Sequence, residues 1–282
     1  MGNHVITVLG ATGKTGRHVA EQAVEKGWRV RSAGRTRAAH GDHTPFDYDD
    51  DTTWHPAFEG SDAAYVVIPF NHPGAPERAP AVIEAAATAG VHRIVLLSTI
   101  DVDHAPADDP TRVAEQTLAA LPVASAFVRP TWFLDNFTVG SFSGMLERGE
   151  LRLPSEDSRI PFVDTRDIAA VAVAALAPNG PTGPLPVTGP ESVDHHAVAK
   201  ALSEALDRTV SYESVSAEEF TALLAERGFP RSYGEFLAEA LIKVVDGRLV
   251  IPVADTVHRL TGRPPRSVDD FARHHAATSA TR

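Results

Sequence analysis

Three glycines near the N-terminus have the spacing of a phosphate-binding turn. Gly10, Gly13 and Gly16 follow an apolar run that begins at Val5 and ends at Leu9. A buried strand that ends in such a turn lets a pyrophosphate approach the backbone at the N-terminus of a helix, whose free N–H groups favour anions. The segment therefore predicts a dinucleotide site. Its expected contact residues are Gly10, Thr12, Gly13, Lys14, Thr15 and Gly16.

Two arginines after the second predicted strand bear on which dinucleotide binds. An NAD site usually carries an acidic residue about 20 residues beyond the glycines. The segment from Ser32 to Arg37 has no acidic residue and offers Arg35 and Arg37 instead. Two guanidinium groups suit a 2′-phosphate, so the sequence favours NADPH and NADP+ over NADH. The alternative is that both arginines are solvated surface charges.

Two further residues complete the expected cofactor contacts in this half of the chain. Asp47 follows the third predicted strand and is a candidate acceptor for the amino group of an adenine. Because Asp49 and Asp50 come next, an acidic surface turn is an equal alternative. Pro69 follows the fourth predicted strand, at the same expected edge of the sheet.

Aromatic side chains gather after the sixth predicted strand and again in the tail. Such side chains can form the wall of a pocket for an organic substrate, although core packing between two lobes is the alternative for each of them. The expected pocket residues are Trp132, Phe133, Asn136, Phe137, Phe142, Met145, Tyr233 and Phe236.

The elements that must position these side chains alternate in the first half of the chain. Strands are expected at 28–33, 44–46, 64–68, 93–97 and 124–128, with helices at 14–26, at 80–89 and from Asp109-Pro110 onwards. The third of these helices is expected to turn Val113, Thr117 and Leu118 toward the sheet. This alternation predicts a doubly wound parallel sheet of the Rossmann type, which binds ligands at the carboxyl ends of its strands.

The second half breaks the alternation and becomes mostly helical. A helix and a short strand are expected within 131–152, a strand at 160–163, a helix at 166–175, a strand at 185–188, and helices near 195–206, 217–227, 232–245, 253–261 and 267–276. The expected division is a Rossmann domain at 1–152 and, within 153–282, a return to that domain at about 160–178 and a helical substrate lobe at about 185–282. The fold class is therefore α/β with a smaller, mostly helical C-terminal lobe.

Composition excludes several other kinds of function. The 282 residues carry a net charge of −11, which disfavours nucleic acid as a partner. Cysteine is absent, and the 13 histidines include no cluster at metal-ligand spacing, so no metal site is expected. No apolar stretch reaches the ~18 residues of a membrane span, so a cytoplasmic protein without a membrane partner is expected. The sequence leaves the oligomeric state open.

Several segments resemble one branch of a known superfamily. They are Gly-Ala-Thr-Gly-Lys-Thr-Gly at 10–16, His-Arg-Ile-Val-Leu-Leu-Ser-Thr at 92–99, Arg-Pro-Thr-Trp-Phe-Leu-Asp-Asn-Phe at 129–137, Pro-Phe-Val-Asp-Thr-Arg-Asp-Ile-Ala at 161–169, Thr-Gly-Pro-Glu at 188–191 and Leu-Thr-Gly-Arg-Pro-Pro-Arg at 260–266. Together they resemble the NmrA-like branch of the atypical short-chain dehydrogenases/reductases. Within that branch they are most similar to bacterial relatives of the ergot-alkaloid festuclavine and agroclavine dehydrogenases.

The resemblance implies roles for particular residues. It implies that Ser98 and Thr99 occupy the place of the superfamily's catalytic hydroxyl, with a structural hydrogen bond to the next loop as the alternative. It also implies that Thr131, Trp132 and Phe133 lie beside the nicotinamide and contact the cofactor.

The chain departs from the superfamily at the proton-donating pair Tyr-x-x-x-Lys. None of its tyrosines, Tyr48, Tyr65, Tyr212 and Tyr233, is followed four residues later by lysine. The expected helix reads Thr-Arg-Val-Ala-Glu-Gln at 111–116, in which Glu115 is expected to be a surface charge.

Two functions remain compatible with the missing pair. The first is an NADPH-dependent reductase, an oxidoreductase of secondary metabolism, that transfers hydride to an aromatic or conjugated ketone, a quinone or a cyclic iminium. Its partner is then a small-molecule substrate, already activated for reduction. The second is a catalytically silent NADP(H) redox sensor of the NmrA type, which acts through protein partners.

Overall fold

The computed structural model describes residues 4–70 and 72–279. Contacts divide the chain into two compact units. The first unit contains residues 4–130, 165–187 and 256–263, and the second contains 131–164, 188–255 and 264–279. The division therefore falls at Pro130, whereas the sequence placed the end of the first domain at residue 152.

Strands and helices are numbered in chain order within the described residues. The strands are β1 (Val5–Leu9), β2 (Arg29–Gly34), β3 (Asp42–Pro45), β4 (Ala63–Val66), β5 (Arg93–Leu97), β6 (Ala124–Pro130), β7 (Glu150–Leu153), β8 (Gly183–Val187) and β9 (Ser211–Ser214). The helices are α1 (Gly16–Glu25), α2 (Trp54–Phe58), α3 (Ala75–Thr88), α4 (Pro110–Ala120), α5 (Asp135–Val139), α6 (Ser143–Arg148), α7 (Thr165–Leu176), α8 (His195–Leu206), α9 (Ala217–Ala225), α10 (Arg231–Val245), α11 (Thr256–Thr261) and α12 (Val268–Ser279).

The first unit is built on one parallel sheet. Its strand order is β3-β2-β1-β4-β5-β6-β8, so the order reverses between β1 and β4. Leu9 of β1 is in register with Ala33 of β2, and Val8 is in register with Tyr65 of β4. All seven strands end at one edge, where a doubly wound sheet binds its ligands. The expected Rossmann-type α/β fold is confirmed.

Helices cover both faces of this sheet, which explains why its central strands β1, β4 and β5 are mostly buried. One layer contains α1, α7 and α11, and the other contains α2, α3 and α4. The second layer buries Phe58, Ile83 and Leu118 against sheet residues such as Leu96 and Phe127. Amphipathic helices have no other means of removing so much apolar surface from water.

The second unit combines short helices with one small sheet. Strands β7 and β9 pair in parallel, with Leu151 in register with Tyr212. Helices α8 and α12 pack together, and so do α9 and α10. The apolar core of this unit includes Phe137, Phe142 and Phe220.

Local chemistry explains several differences from the expected elements. The expected strand at 160–163 reduces to isolated bridges, Ile160 with Val193 and Val163 with Phe133, because Pro161 between them has no N–H to donate to a ladder. Helix α3 begins at Ala75, after a left-handed Gly74, and accommodates Pro80 in its interior, whereas the sequence predicted a helix at 80–89. Strand β9 was not predicted.

Two expected helices also differ in detail. Gly140 separates α5 from α6, where one aromatic-rich helix was expected. In α4 the buried residues are Thr111, Ala114, Glu115 and Leu118, so Leu118 faces the sheet as expected but Glu115 is not a surface charge. Val113 and Thr117 are only partly buried.

Candidate functional site

The glycine turn lies directly after β1, at the point where the strand order reverses. Gly10 has a left-handed backbone with φ of 66°, and its carbonyl oxygen accepts a hydrogen bond of 2.8 Å from the Gly13 N–H. A Cβ on Gly16 would lie 2.2 Å from that same carbonyl oxygen, so only glycine lets α1 start this close to the turn. A Cβ on Gly13 would lie 3.1 Å from it. The three glycines therefore have distinct steric requirements.

Backbone donors in the turn are left without protein partners. The N–H groups of Ala11 and Thr12 make no hydrogen bond to the described residues, although Ala11 is only 5% exposed. Buried N–H groups are rarely orphaned, and at a helix N-terminus they form a ready anion site. Lys14 and Arg17 add cations where a helix otherwise favours acidic residues. The turn therefore fits the pyrophosphate of a dinucleotide.

A buried hydrogen bond fixes the start of α1. The Tyr65 hydroxyl on β4 donates to Thr15 Oγ1 at 3.0 Å, and both side chains are buried. Burial raises the pKa of Tyr65, so its hydroxyl stays protonated. This contact gives the Thr15 side chain a structural role in the turn.

The loop after β2 presents both predicted arginines to solvent. Arg35 and Arg37 are exposed and make no hydrogen bond or ion pair with residues 4–70 or 72–279. The base of this loop is ordered, because Ser32 Oγ donates to the His40 carbonyl oxygen at 2.5 Å. Both guanidinium groups are consequently available to an anion at the edge where β2 ends.

Asp47 participates in a local turn. Its Oδ1 accepts from the Asp49 N–H at 3.0 Å, and its carbonyl oxygen accepts from Trp54 Nε1 at 2.7 Å. Ligand atoms of Asp47, Asp49 and His72 lie within 4.8 Å of one another. The Asp49 oxygens already contact His72 Nε2 and Arg78 Nη1, each at 2.8 Å. Both carboxylate oxygens of Asp49 therefore already have a partner within the protein.

Ser98 and Thr99 follow β5 at the carboxyl edge of the sheet. The Ser98 side chain is 4% exposed, and its Oγ has no hydrogen-bond partner among the described residues. Its backbone N–H donates to the Val128 carbonyl oxygen at 2.8 Å. A buried hydroxyl without a partner is costly, so this Oγ is suited to hydrogen-bond a polar group of a ligand. Pro69 follows β4, lies at the same edge of the sheet and is partly buried.

Sequence reasoning missed an ion-pair cluster at the end of β6. Arg129 makes paired hydrogen bonds to Glu115 of α4, with Nε 2.9 Å from Oε1 and Nη2 2.6 Å from Oε2. It also contacts Asp103 at 2.7 Å. The hydrogen bonds that Arg129 donates to the Glu115 carboxylate raise the pKa of Arg129, which therefore stays charged. The strand pattern placed Arg129 at the end of the sixth predicted strand, but nothing in the sequence indicated that Glu115 on α4 is its partner.

The predicted aromatic residues belong to the second unit and differ in their exposure. Phe137 and Phe142 are each 1% exposed and belong to the apolar core of this unit. Trp132 is half-buried and stacks on Phe142 at a ring distance of 6.4 Å. Phe236 is 49% exposed, which leaves its ring accessible on α10. Thr131 is buried, and its Oγ1 has no hydrogen-bond partner among the residues that the structure describes. Phe133 pairs with Val163, Asn136 is partly buried on α5, and Met145 is in the core.

Every tyrosine hydroxyl is already engaged within the protein. Tyr48 donates to the Val67 carbonyl oxygen, Tyr65 to Thr15, and Tyr212 to the Glu156 carbonyl oxygen, while Tyr233 lies 2.9 Å from Ser141 Oγ. Burial also raises the pKa of Tyr48. The four hydroxyls therefore have structural partners, none of which is lysine.

A buried histidine in the second unit was also missed. Ser155 Oγ lies 2.8 Å from His195 Nδ1 and 2.9 Å from the Tyr212 hydroxyl. The imidazole packs against Phe162 and stacks on Tyr212. Burial lowers the pKa of His195 to about 3, so the ring is neutral at physiological pH. The pair His195-His196 drew attention in the sequence only as a metal candidate, because the partner Ser155 is 40 residues away.

The sheet topology defines a Rossmann-type α/β protein, and its glycine turn lies at the strand-order reversal. The model of the NmrA-like family matches residues 2–247, and the chain belongs to that family. The resemblance inferred from the sequence is therefore confirmed. Among the described residues, no helix combines the length and apolar character needed to cross a bilayer.

Three comparisons illustrate the range of similar proteins. The NAD(P)H azoreductase of Xenophilus azovorans is 33% identical, over 97% of this chain and 98% of its own length. The agroclavine dehydrogenase of Claviceps fusiformis is 30% identical, over 94% of this chain and 95% of its own. The crystal structure of the NADPH-dependent quinone oxidoreductase QOR2 from Escherichia coli, complexed with NADPH, matches with a TM-score of 0.81 at 23% identity, over 95% of this chain and 99% of its own.

Proposed function

We propose that this chain is an NADPH-dependent reductase that transfers hydride to a small conjugated or aromatic acceptor: a quinone, an azo compound, an aromatic ketone or a cyclic iminium. The observation that carries the proposal is the glycine turn, in which Gly16 admits no Cβ and the N–H groups of Ala11 and Thr12 have no described partner. The names of the similar azoreductase and agroclavine dehydrogenase support reduction of such acceptors.

The residues present would hold the cofactor in three places. The turn from Gly10 to Gly16 would bind the pyrophosphate through backbone N–H groups. Arg35 and Arg37 would bind the 2′-phosphate, which favours NADPH over NADH. Ser98 would donate its unpartnered hydroxyl to the nicotinamide end or to the acceptor. Asp47 remains a candidate for the adenine only through its second carboxylate oxygen.

Bound NADPH supplies a hydride, which carries two electrons to an electron-poor carbon or nitrogen of the acceptor. A cyclic iminium is neutral after this addition and needs no proton. A quinone, ketone or azo compound also takes up one proton, which water supplies, because the tyrosine hydroxyls are already bonded within the protein. The chain's contribution is therefore binding and orientation of the reactants.

The expected acceptor contacts are those of the predicted aromatic side chains that retain exposure. Trp132 and Phe133 follow two and three residues after Pro130, the last residue of β6, and both are half-buried. Tyr233 and the exposed Phe236 lie on α10. Flat aromatic rings favour a flat conjugated acceptor, because stacking contributes beyond simple burial of area.

The test is NADPH oxidation, followed at the nicotinamide absorbance, against a panel of quinones, azo dyes, aromatic ketones and cyclic iminium salts. We expect turnover with at least one class, and faster turnover with NADPH than with NADH. Absence of turnover across the panel, together with clearly different affinities for NADP+ and NADPH, would instead establish the redox sensor.

A further inference from the structure

Arg129, Glu115 and Asp103 form an ion-pair cluster that connects β6, α4 and the loop after β5. The Arg129 guanidinium donates two hydrogen bonds to Glu115 on α4 and two to Asp103. The side chains of Arg129 and Glu115 are 12% and 8% exposed, whereas that of Asp103 is 69% exposed. Paired hydrogen bonds of this kind fix both the distance and the plane of a guanidinium. The arrangement is therefore rigid on its buried side.

The register of the sheet places this cluster beside Ser98. Leu97 of β5 pairs with Val128 of β6, so Ser98 and Arg129 form the next position along the two strands. Paired residues of parallel strands project to the same face, and the preceding pair on that face, Leu96 and Phe127, packs in the layer that contains α4. Arg129 consequently lies on the face that α4 covers, where it meets Glu115, and Ser98 directly follows the last paired residue of β5.

The loop that carries Ser98 and Thr99 is bonded to β6 on both sides of Arg129. The Ser98 N–H donates to the Val128 carbonyl oxygen at 2.8 Å, and the Ile100 N–H donates to the Pro130 carbonyl oxygen at 3.1 Å. Further along the same loop, Asp103 returns to the Arg129 side chain. A displacement of Arg129 therefore moves the segment that holds the Ser98 hydroxyl.

From this geometry we infer that Arg129 and Glu115 are positioning residues for hydride transfer, which they support by fixing the Ser98 hydroxyl against the reactants. The inference rests on the proposed function. Glu115 lies on the buried face of the helix where the superfamily's Tyr-x-x-x-Lys pair was expected. An ion pair thus occupies that face and provides rigidity, while the transferred proton comes from water. Small displacements of a positioned group lower rates steeply, because hydride transfer needs near-attack geometry.

The test measures single-turnover NADPH oxidation at saturating acceptor in wild type, Glu115→Gln and Arg129→Lys. Glu115→Gln removes the negative charge and keeps the shape of the side chain, whereas Arg129→Lys keeps the positive charge and loses the paired hydrogen bonds of the guanidinium. We expect the observed rate constant to fall at least ~10-fold in both, with an NADPH dissociation constant within about 3-fold of wild type. A loss of folded protein lowers the amplitude of the reaction and leaves its rate constant unchanged, so the two effects separate.

Asp167→Asn is the matched control. Asp167 is a fully buried carboxylate of the same unit, 2.7 Å from Arg263, and it belongs to α7 on the opposite face of the sheet. We expect it to lower the melting temperature without changing the rate constant. If wild type transfers hydride and either folded variant matches its rate constant, the positioning role is wrong while the proposed function stands. If wild type transfers no hydride to any acceptor, the proposed function fails and this inference fails with it.

Discussion

The proposed preference for NADPH depends on two arginines, Arg35 and Arg37. An NAD site usually has an acidic residue after its second strand, and its carboxylate would repel a phosphate. This chain has two exposed guanidinium groups there, and neither has a partner among the described residues. The affinity for the extra phosphate of NADPH should therefore depend directly on them.

Arg35→Ala should weaken NADPH binding by about 30-fold, the equivalent of one lost charged hydrogen-bond pair worth about 2 kcal/mol. NADH binding should be nearly unchanged, because NADH lacks the phosphate. Titration of nicotinamide fluorescence measures both constants, and Arg29→Ala, which removes an exposed arginine from the start of the same strand, is the control. Equal losses for the two cofactors would mean that Arg35 does not contact the 2′-phosphate.

His195 makes stability depend on pH through its burial. Burial lowers its pKa to about 3, whereas the unfolded chain has the ordinary value of about 6.5. The unfolded state therefore binds the additional proton between these values, so stability is fully present above pH 6.5 and decreases as the pH falls toward 3.

The free energy of unfolding should fall by about 2 kcal/mol between pH 7 and pH 5 because of this one group. Urea denaturation of wild type and His195→Gln at both pH values measures it. The variant should be less stable at pH 7 but should lose less stability on acidification. A pH dependence identical to that of wild type would assign the effect to other groups.

At the scale of single residues, the sequence predicted contacts made by backbone better than contacts made by side chains. The steric need for Gly10, Gly13 and Gly16 follows from their spacing alone. The partner of Glu115 does not, because Arg129 comes from a different element and is brought near only by folding. Phe137 and Phe142 have the composition of a pocket, but their burial makes them core.

At the scale of elements, helix boundaries were predictable wherever a capping residue marks them. Asp109 caps α4, whose first residue is Pro110, by accepting hydrogen bonds from the N–H groups of Thr111 and Arg112. Asp194 caps α8 by accepting a hydrogen bond from the Ala197 N–H. Strand β9 gave no such signal, because Ser-Tyr-Glu-Ser has one half-buried apolar residue and pairs only with β7. Short strands stabilised by tertiary pairing lack a local signature.

Gly16→Ala should displace the start of α1. The added Cβ would meet the Gly10 carbonyl oxygen at 2.2 Å, which backbone atoms cannot accommodate without movement. We expect a loss of about 2 kcal/mol in unfolding free energy and at least ~10-fold weaker NADPH binding. Denaturation and fluorescence titration measure the two effects.

Gly27→Ala provides the control at the other end of the same helix. Gly27 has φ of 76°, but the space that an added methyl group would occupy is open, so the substitution costs only the strain of a left-handed residue, about 1 kcal/mol. NADPH affinity should remain that of wild type. If Gly27→Ala weakens NADPH as much as Gly16→Ala does, general destabilisation explains the loss and the steric account is wrong.

At the scale of the whole molecule, cofactor binding and stability are linked. A ligand present at 100 times its dissociation constant stabilises the folded state by about 2.7 kcal/mol when it binds only that state. For a chain of this size we expect NADPH to raise the melting temperature by about 5 °C or more, and NADH to raise it less at the same concentration. Differential scanning fluorimetry measures both shifts. A larger shift with NADH would reverse the proposed cofactor preference.

The parallel sheet was predictable at this scale because its central strands β1, β4 and β5 are mostly buried apolar runs, each followed by a helix. The division into units was not, because it depends on contacts between distant segments. Residues 131–152 continue directly from β6, yet they join the second unit, whose core contains Met145 and Leu151. No local pattern marks that change.

The division of the chain has a consequence for modularity. The backbone passes between the two units five times, at positions 130/131, 164/165, 187/188, 255/256 and 263/264. A fragment that ends at residue 152 would lack β8, α7 and α11, and would leave β6 as an unprotected sheet edge prone to aggregation. Because neither unit is one continuous segment, an exchange of either unit between relatives would have to match the backbone at every one of these crossings.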